Sequence, residues 1–436
     1  QCVIITDFIA EQLMTTPQKT NKKILWTIFL TILIDMLGIG ILIPVFPMLV
    51  VPHSTFKVTP DSWSTAEGFV MLGWLMTCFP IAQFLCAPIL GQLADRFGRK
   101  KILALSISGT VLSYILFAIG IVTKNLPLMF IARALDGASG GNISVAQAVI
   151  GDISSPQSRA KNFGLIGMAF GLGFILGPFI GGKLSDPNLI SWFDSATPFW
   201  FAAILSTINV ILVIRLLPET LHVRSENRID FTRPIHNIIK AFSINGLKSI
   251  IPATFLFNAG FTFYTTFWGV VLAEQFGFSQ GKIGDFYAYI GIMVILAQGL
   301  VVRRLSGKVQ DYKVLRYSII GSGLCLIGYY FIPVSHPNLV YLLPPFMATC
   351  NALSMSFSAA LITRVSPPQI RGEAMGINSS ANALAQAIPA ILAGYIATHH
   401  ARLPVLVGGF TIIIGGLLFR YLFKPGRDDI HGKEGV

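Results

Sequence analysis

The sequence predicts an all-α membrane protein, with twelve transmembrane helices in two pseudo-symmetric six-helix bundles. Three observations carry this expectation. The chain has 436 residues, 53% hydrophobic and 12% charged, with a mean hydropathy of +0.68, whereas a soluble domain carries about 25% charged residues. Apolar runs long enough to cross a ~30 Å hydrocarbon core at 1.5 Å per residue recur along its whole length. A charged segment at 218–248 divides them six and six, the pattern of two repeated halves.

In order, residues 1–23 read as a cytoplasmic tail. The first bundle, 24–217, holds spans at 24–50, 67–91, 101–122, 127–150, 161–184 and 197–217. The run from Ile24 is too long for a cleavable signal peptide. The linker, 218–248, is charged. The second bundle, 249–423, holds spans at 249–274, 283–304, 313–333, 338–362, 372–397 and 403–423, and residues 424–436 form a second cytoplasmic tail. With both termini inside, 26 of the 32 Lys and Arg lie on that side. Lys57, Lys124, Lys183, Lys282 and Arg402 fall in outer loops and Arg133 inside the membrane, so the positive-inside rule favours this orientation.

Composition also excludes. The net charge of +12 is spread between apolar runs rather than along one basic face, which argues against nucleic acid as partner. The cysteines, Cys2, Cys78, Cys86, Cys325 and Cys350, show no metal-binding spacing. No Gly-x-x-x-x-Gly-Lys-Ser/Thr loop is present, so ATP-driven pumping is not expected. The linker is the largest segment outside the membrane and is too short for an enzymatic domain.

Four stretches carry chemistry. Gly91-Gln-Leu-Ala-Asp95-Arg96-Phe-Gly98-Arg99-Lys100-Lys101 is a charge-dense connection between spans 2 and 3. Its glycines suit tight turns or close helix approach, and Asp95 suits a helix start. Asp35 lies in mid-span, where an ionised carboxylate costs several kcal/mol. It should face a water-filled cavity or carry a proton; the plain alternative is a structural Asp bonded to a neighbouring helix. Arg133 and Asp136 stand three apart on span 4, on one helix face, as a functional or a purely structural pair. Gly167, Gly171, Gly173, Gly177, Pro178, Gly181 and Gly182 line span 5, where small residues let helices approach.

Gly91 to Lys101 resembles the signature between the second and third spans of major facilitator superfamily transporters. Arg133-x-x-x-Gly137 is similar to that family's span 4 motif, whose arginine is associated with proton transfer. Gly177-Pro178-x-x-Gly181-Gly182 is similar to the motif marking drug/proton antiporters, and the stretch around Asp35 looks like span 1 of the tetracycline-efflux branch. The resemblance covers nearly the whole chain, including Tyr289 to Met293 and Gly372 to Asn378. It departs at Val294, where some members carry histidine, and over Tyr317–Pro333, which has no carboxylate. Those departures concentrate proton coupling on Asp35 and span 4.

The resemblance implies a major facilitator fold and proton-coupled efflux of a small organic or drug-like compound by alternating access. It implies a monomer driven by the proton gradient, without cofactor, in the lipid bilayer of a bacterial inner membrane. Asp35, Arg133 and Asp136 would couple protons. Gly91, Asp95, Arg96, Gly98, Arg99, Asp152, Arg159, Gly177 and Pro178 would serve gating, with Asp95, Arg96, Asp152 and Arg159 as a cytoplasmic latch. Arg371 and Glu373 would be its counterpart in the second half. A weak echo of the signature, Arg303, Arg304, Gly307, Lys308, Asp311 and Lys313, follows span 8. Asn258, Phe261, Tyr264, Trp268, Tyr289, Gln298, Asn351, Asn378, Gln386 and Gln147 are candidate substrate contacts; ordinary helix packing is the plain alternative for each. Rival readings are an uptake symporter or facilitator for a metabolite or siderophore-like compound, and a transport-inactive receptor or scaffold.

Overall fold

The computed structural model describes residues 18–52, 54, 56–154, 158–221, 224–226, 229–232, 247–366 and 371–423, with the side chains of 18–21, 159–161 and 371–376 outside the description. Most of both expected tails and much of the linker therefore lie outside it. Among the described residues every regular element is helical.

Helices α1 (Gln18–Val45), α2 (Thr65–Phe97) and α3 (Arg99–Val122) open the chain, followed by α4 (Leu126–Ser139), α5 (Asn142–Ile153), α6 (Arg159–Leu184) and α7 (Thr197–Leu216). After the linker come α8 (Leu247–Glu274), α9 (Gln280–Leu296), α10 (Asp311–Tyr330), α11 (Pro344–Val365), α12 (Arg371–Ala397) and α13 (Leu403–Leu422). The local causes are readable. Ser64 and Glu67 cap α2 reciprocally, Glu67 N donating to Ser64 Oγ and Ser64 N to Glu67 Oε2. Ser279 and Asn125 accept from the backbone at the starts of α9 and α4. Proline opens α4, α7, α11 and α13 within the first two positions, where its missing N–H costs nothing.

Among the described residues, ten helices are long and apolar enough to cross a membrane. Two expected spans differ from that form. Span 4 is not one helix: it breaks at Gly140 and Gly141 into α4 and α5. Two successive glycines are poor helix formers, and neighbours take the carbonyls freed there. Ser106 Oγ donates to Ser139 O, and Gln83 Nε2 donates to Gly140 O at 3.0 Å. Span 9 is the single helix α10, but it begins with Asp311, Lys313 and Arg316. Span 8 continues beyond α9 through a π-helical turn, Ala297–Val302, that contains Gln298.

Each half of the chain packs on itself, α1 against α6, α3 against α7, α8 against α13 and α10 against α11 and α13. The halves meet along two seams, α2 with α12 and α6 with α9. Glycines set both. Gly73 meets Gly394 and Gly182 meets Gly284 so closely that a Cβ at any of the four would strike backbone. These contacts lie at the end of the bundle far from the start of α1 and the end of α13, which mark its termini end. Phe69–Phe267 at 5.6 Å, Trp74–Tyr395 and the Lys183–Asp285 ion pair at 2.9 Å join the halves at the same end. Asp186, buried, accepts from Ser279 Oγ and Gly281 N across the seam. Toward the termini end, Gly164, Gly167 and Gly171 of α6 and Gly299 after α9 have open space around them. Among the described residues, the close contacts between the halves thus gather at the far end.

Arg402 was counted with the outer loops, yet it is buried. Its guanidinium donates to Gln275 Oε1 and to the carbonyls of Tyr330 and Ile332, and lies 5.1 Å from the Phe276 ring centre. It ties three far-end connections of the second half together rather than facing solvent.

Candidate functional site

Asp35 sits on α1 with 6% of its surface exposed. Its position is fixed by the glycine seam with α6. Gly40 and Gly177 pack backbone to backbone, Pro178 Cδ lies against Gly40, and Gly173 and Gly181 sit on Met36 and Ile41. The Gly-Pro motif is therefore what docks α6 beside the acid. Neither carboxylate oxygen of Asp35 makes a hydrogen bond of ordinary geometry, and both are sealed from solvent. The Asn142 side chain is the neutral polar group set beside it.

Arg133 and Asp136, on α4, form the expected pair, Arg133 Nη1 donating to Asp136 Oδ2 at 2.8 Å. The guanidinium lies 4.8 Å from the Phe79 ring centre and 5.5 Å from that of Phe46. Arg133 is 6% exposed and Asp136 5%. Asp35 and Asp136 line one cavity of about 20 Å³ with Ile39, Phe79, Gln83, Thr110, Tyr114, Gly140, Asn142 and Ile143. That volume suits a single water molecule. Asn142, Gln83, Thr110 and Tyr114 escaped the sequence reading; the only signal was the Gly140-Gly141 doublet that precedes Asn142.

The signature stretch departs from expectation in its secondary structure. Gly91 to Phe97 is the end of α2, not a loop, and only Gly98 turns the chain, at φ 108°. Gly98 also admits Glu219, whose carboxylate occupies the space a Cβ would need. Glu219 accepts from Arg99 N at 2.8 Å and Lys100 N at 3.3 Å, so it caps α3, the role expected of Asp95. Asp95 instead pairs with Arg99 at 2.6 Å, and Arg99 also meets Asp152 at 3.2 Å, where Thr220 Oγ1 donates as well. Arg99 is the hub of this network. Arg96 is exposed, with its guanidinium 5.5 Å from the Phe97 ring centre. Gly91 has open space and makes no close helix contact. The side chains of Arg159, Arg371 and Glu373 lie outside the described residues. In the second half Asp311, from the echo of the signature, pairs with Arg364 at 2.8 Å.

The structure brings some substrate candidates together. Asn258 Nδ2 donates to Asn382 Oδ1 at 3.1 Å, and Thr254 Oγ1 to Asn378 Oδ1 at 3.5 Å, making a polar seam between α8 and α12. Phe261 is half-buried and stacks on Phe257 at 6.5 Å. Tyr264 and Trp268 are fully buried in an aromatic core with Tyr329, at 5.3 Å and 4.6 Å, rather than on an open surface. Tyr289 is half-buried against Tyr341. Gln298, in the π turn, accepts from Ser356 Oγ. Asn351 is half-buried, and Gln147 and Gln386 are exposed.

The sequence model of the Major Facilitator Superfamily matches residues 28–359 and 346–436. The chain is 30% identical over 290 residues to the tetracycline resistance protein, class H, of Pasteurella multocida, covering 66% of this chain and 68% of that protein. It is 27% identical over 424 residues to multidrug resistance protein 2 of Bacillus subtilis (strain 168), covering 94% and 97%. Its fold matches the crystal structure of the human organic anion transporter MFSD10 (TETRAN) with a TM-score of 0.67 at 21% identity, over 93% of this chain and 100% of that one.

Proposed function

This chain belongs to the Major Facilitator Superfamily, and from that premise we propose that it exports a small organic or drug-like compound in exchange for protons, by alternating access. As a superfamily member it is a membrane transporter, not an enzyme. The observation that carries the finer reading is Asp35, buried without an ion-pair partner beside the Arg133–Asp136 pair. A lone carboxylate there costs several kcal/mol when charged, and a proton removes that cost. Protonation then changes which arrangement of the halves is favoured, and substrate and proton must shift each other's binding reciprocally. The resistance proteins among the relatives support efflux over uptake. So does the similarity of Gly177-Pro178-x-x-Gly181-Gly182 to the motif marking drug/proton antiporters.

In this reading Asp35, Arg133 and Asp136 handle the proton. The Arg99–Asp95–Asp152 cluster, joined by Thr220 and Glu219, fastens the termini end of the first half during the cycle. The α8–α12 polar seam around Asn258, Asn378 and Asn382, with Phe261 beside it, is the substrate-facing candidate. The proposal includes a monomer in a bacterial inner membrane, both termini cytoplasmic, with the proton gradient as its energy source.

The test uses purified protein in liposomes containing a pH-sensitive dye, an imposed proton gradient and a panel of amphipathic drugs and metabolites. The expected result is substrate-dependent proton movement opposite in direction to the substrate, abolished by Asp35→Asn. Movement of both in one direction would replace efflux by the uptake reading. Coupling that survives Asp35→Asn would take the proton role from Asp35.

A further inference from the structure

The cavity between Asp35 and Asp136 has a charge imbalance that its protein groups do not resolve. Two carboxylates and one guanidinium meet there, and the guanidinium is committed to Asp136. With all three ionised the buried set carries one uncompensated negative charge. The remaining ionisable groups facing it are Tyr114 on α3 and Cys78 on α2, neither of which supplies a cation. Between Asn162 and Gly182, α6 presents no ionisable residue.

The surroundings of the cavity are rich in oxygen. Both Asp35 oxygens lack an ordinary hydrogen bond and the residue is over nine-tenths buried. Asp136, Thr110, Tyr114, Asn142 and Gln83 line the same space with the Gly140 backbone. The Gly140 carbonyl spends one acceptor site on Gln83 and keeps a second. The break at Gly140–Gly141 also places the C-terminal end of α4 here, the negative end of its dipole. Interrupted membrane helices coordinate small cations by this arrangement of half-helix ends and freed carbonyls. The space of about 20 Å³ holds one water-sized guest. A divalent Mg2+ keeps several waters and does not fit, and Ca2+ takes six to eight oxygens at longer distances.

We propose that this cavity is an alkali-cation site, taking one dehydrated Na+ between Asp35 and Asp136, with Asn142, Thr110 and the Gly140 carbonyl completing its oxygen shell. The site shares Asp35 with the coupling reading above, but it stands on equilibrium binding and not on transport. Because a proton on Asp35 removes the main ligand, Na+ and H+ compete for the site.

The experiment is thermal unfolding of the purified, detergent-solubilised protein, with no substrate, titrated with NaCl, LiCl, KCl or choline chloride at matched ionic strength. Na+ should raise Tm by roughly 2 °C or more at saturation, with choline giving no comparable rise. The half-saturating Na+ concentration should increase by up to about tenfold for each pH unit lowered. Asp35→Asn and Asn142→Ala should abolish and weaken the response. An equal rise with every salt, or none, overturns the proposal on the wild-type protein alone, whatever the variants do. A Na+ response independent of pH, or intact in a folded Asp35→Asn, places the cation elsewhere and also overturns it. Na+ binding with proton-coupled transport absent would sink the efflux reading and leave this site standing.

Discussion

Asp35 and Asp136 are equally buried carboxylates with opposite energetic positions. Asp136 holds a guanidinium at 2.8 Å, whereas Asp35 has no charged partner. Removing one member of a buried pair strands the other, at about 3–5 kcal/mol. Asp136→Asn should therefore lower the unfolding free energy by about that amount, and Asp35→Asn should leave stability unchanged or raised. Replacing both Arg133 by Met and Asp136 by Leu should recover most of the loss, as a thermal-unfolding double-mutant cycle would show. A fully stable Asp136→Asn would mean that Arg133 has a second anionic partner. At this scale the sequence was informative about charges and silent about neutral groups. An acid or arginine inside an apolar run announces itself. Asn142, Gln83 and Thr110 do not, because a neutral polar residue on a membrane helix reads as ordinary packing until the fold sets it on a cavity wall.

At the scale of elements, glycine spacing predicts contact only where a partner helix is present. Gly40 and Gly177 interlock α1 with α6, while Gly91 borders open space. Gly177→Ala should cost about 1–3 kcal/mol through displaced backbone. Gly91→Ala should be neutral or stabilising by up to about 1 kcal/mol, since alanine is the better helix former. Unfolding of the two variants side by side checks the contrast; equal losses would mean that α2 packs tightly at Gly91. The order of the spans was legible from the apolar runs, but the break inside span 4 was not. Nor was the end of α2, because Asp95 and Arg96 look like loop residues, although the helix continues through both to the turn at Gly98, with Asp95 paired to Arg99. Glu219 was missed because its partners are backbone amides 119 and 120 positions away, a distance no local pattern reports.

For the whole molecule, the conformation described is closed at the far end, where Lys183 and Asp285 meet across the seam. In a background with its cysteines replaced, Lys183→Cys with Asp285→Cys should crosslink readily under oxidation and stop transport, and reductant should restore it. Crosslinking that left transport intact would mean that the far end does not part during the cycle. The two halves were legible as halves, but not which end they close, since that depends on glycine contacts between segments more than a hundred residues apart. The break in span 4 bears on how the two ends communicate. Asp136 and Asp152 lie on either side of it, so span 4 is a jointed pair of rods with no continuous helix from one acid to the other. Helix α3 is unbroken from Arg99 to Val122. It grips Asp152 through Arg99 at its start, holds the frayed Ser139 carbonyl through Ser106, and walls the cavity with Thr110 and Tyr114. Helix α3 is thus an unbroken rod that joins the cavity wall to the Arg99–Asp152 clasp in the first half, and it bypasses the joint.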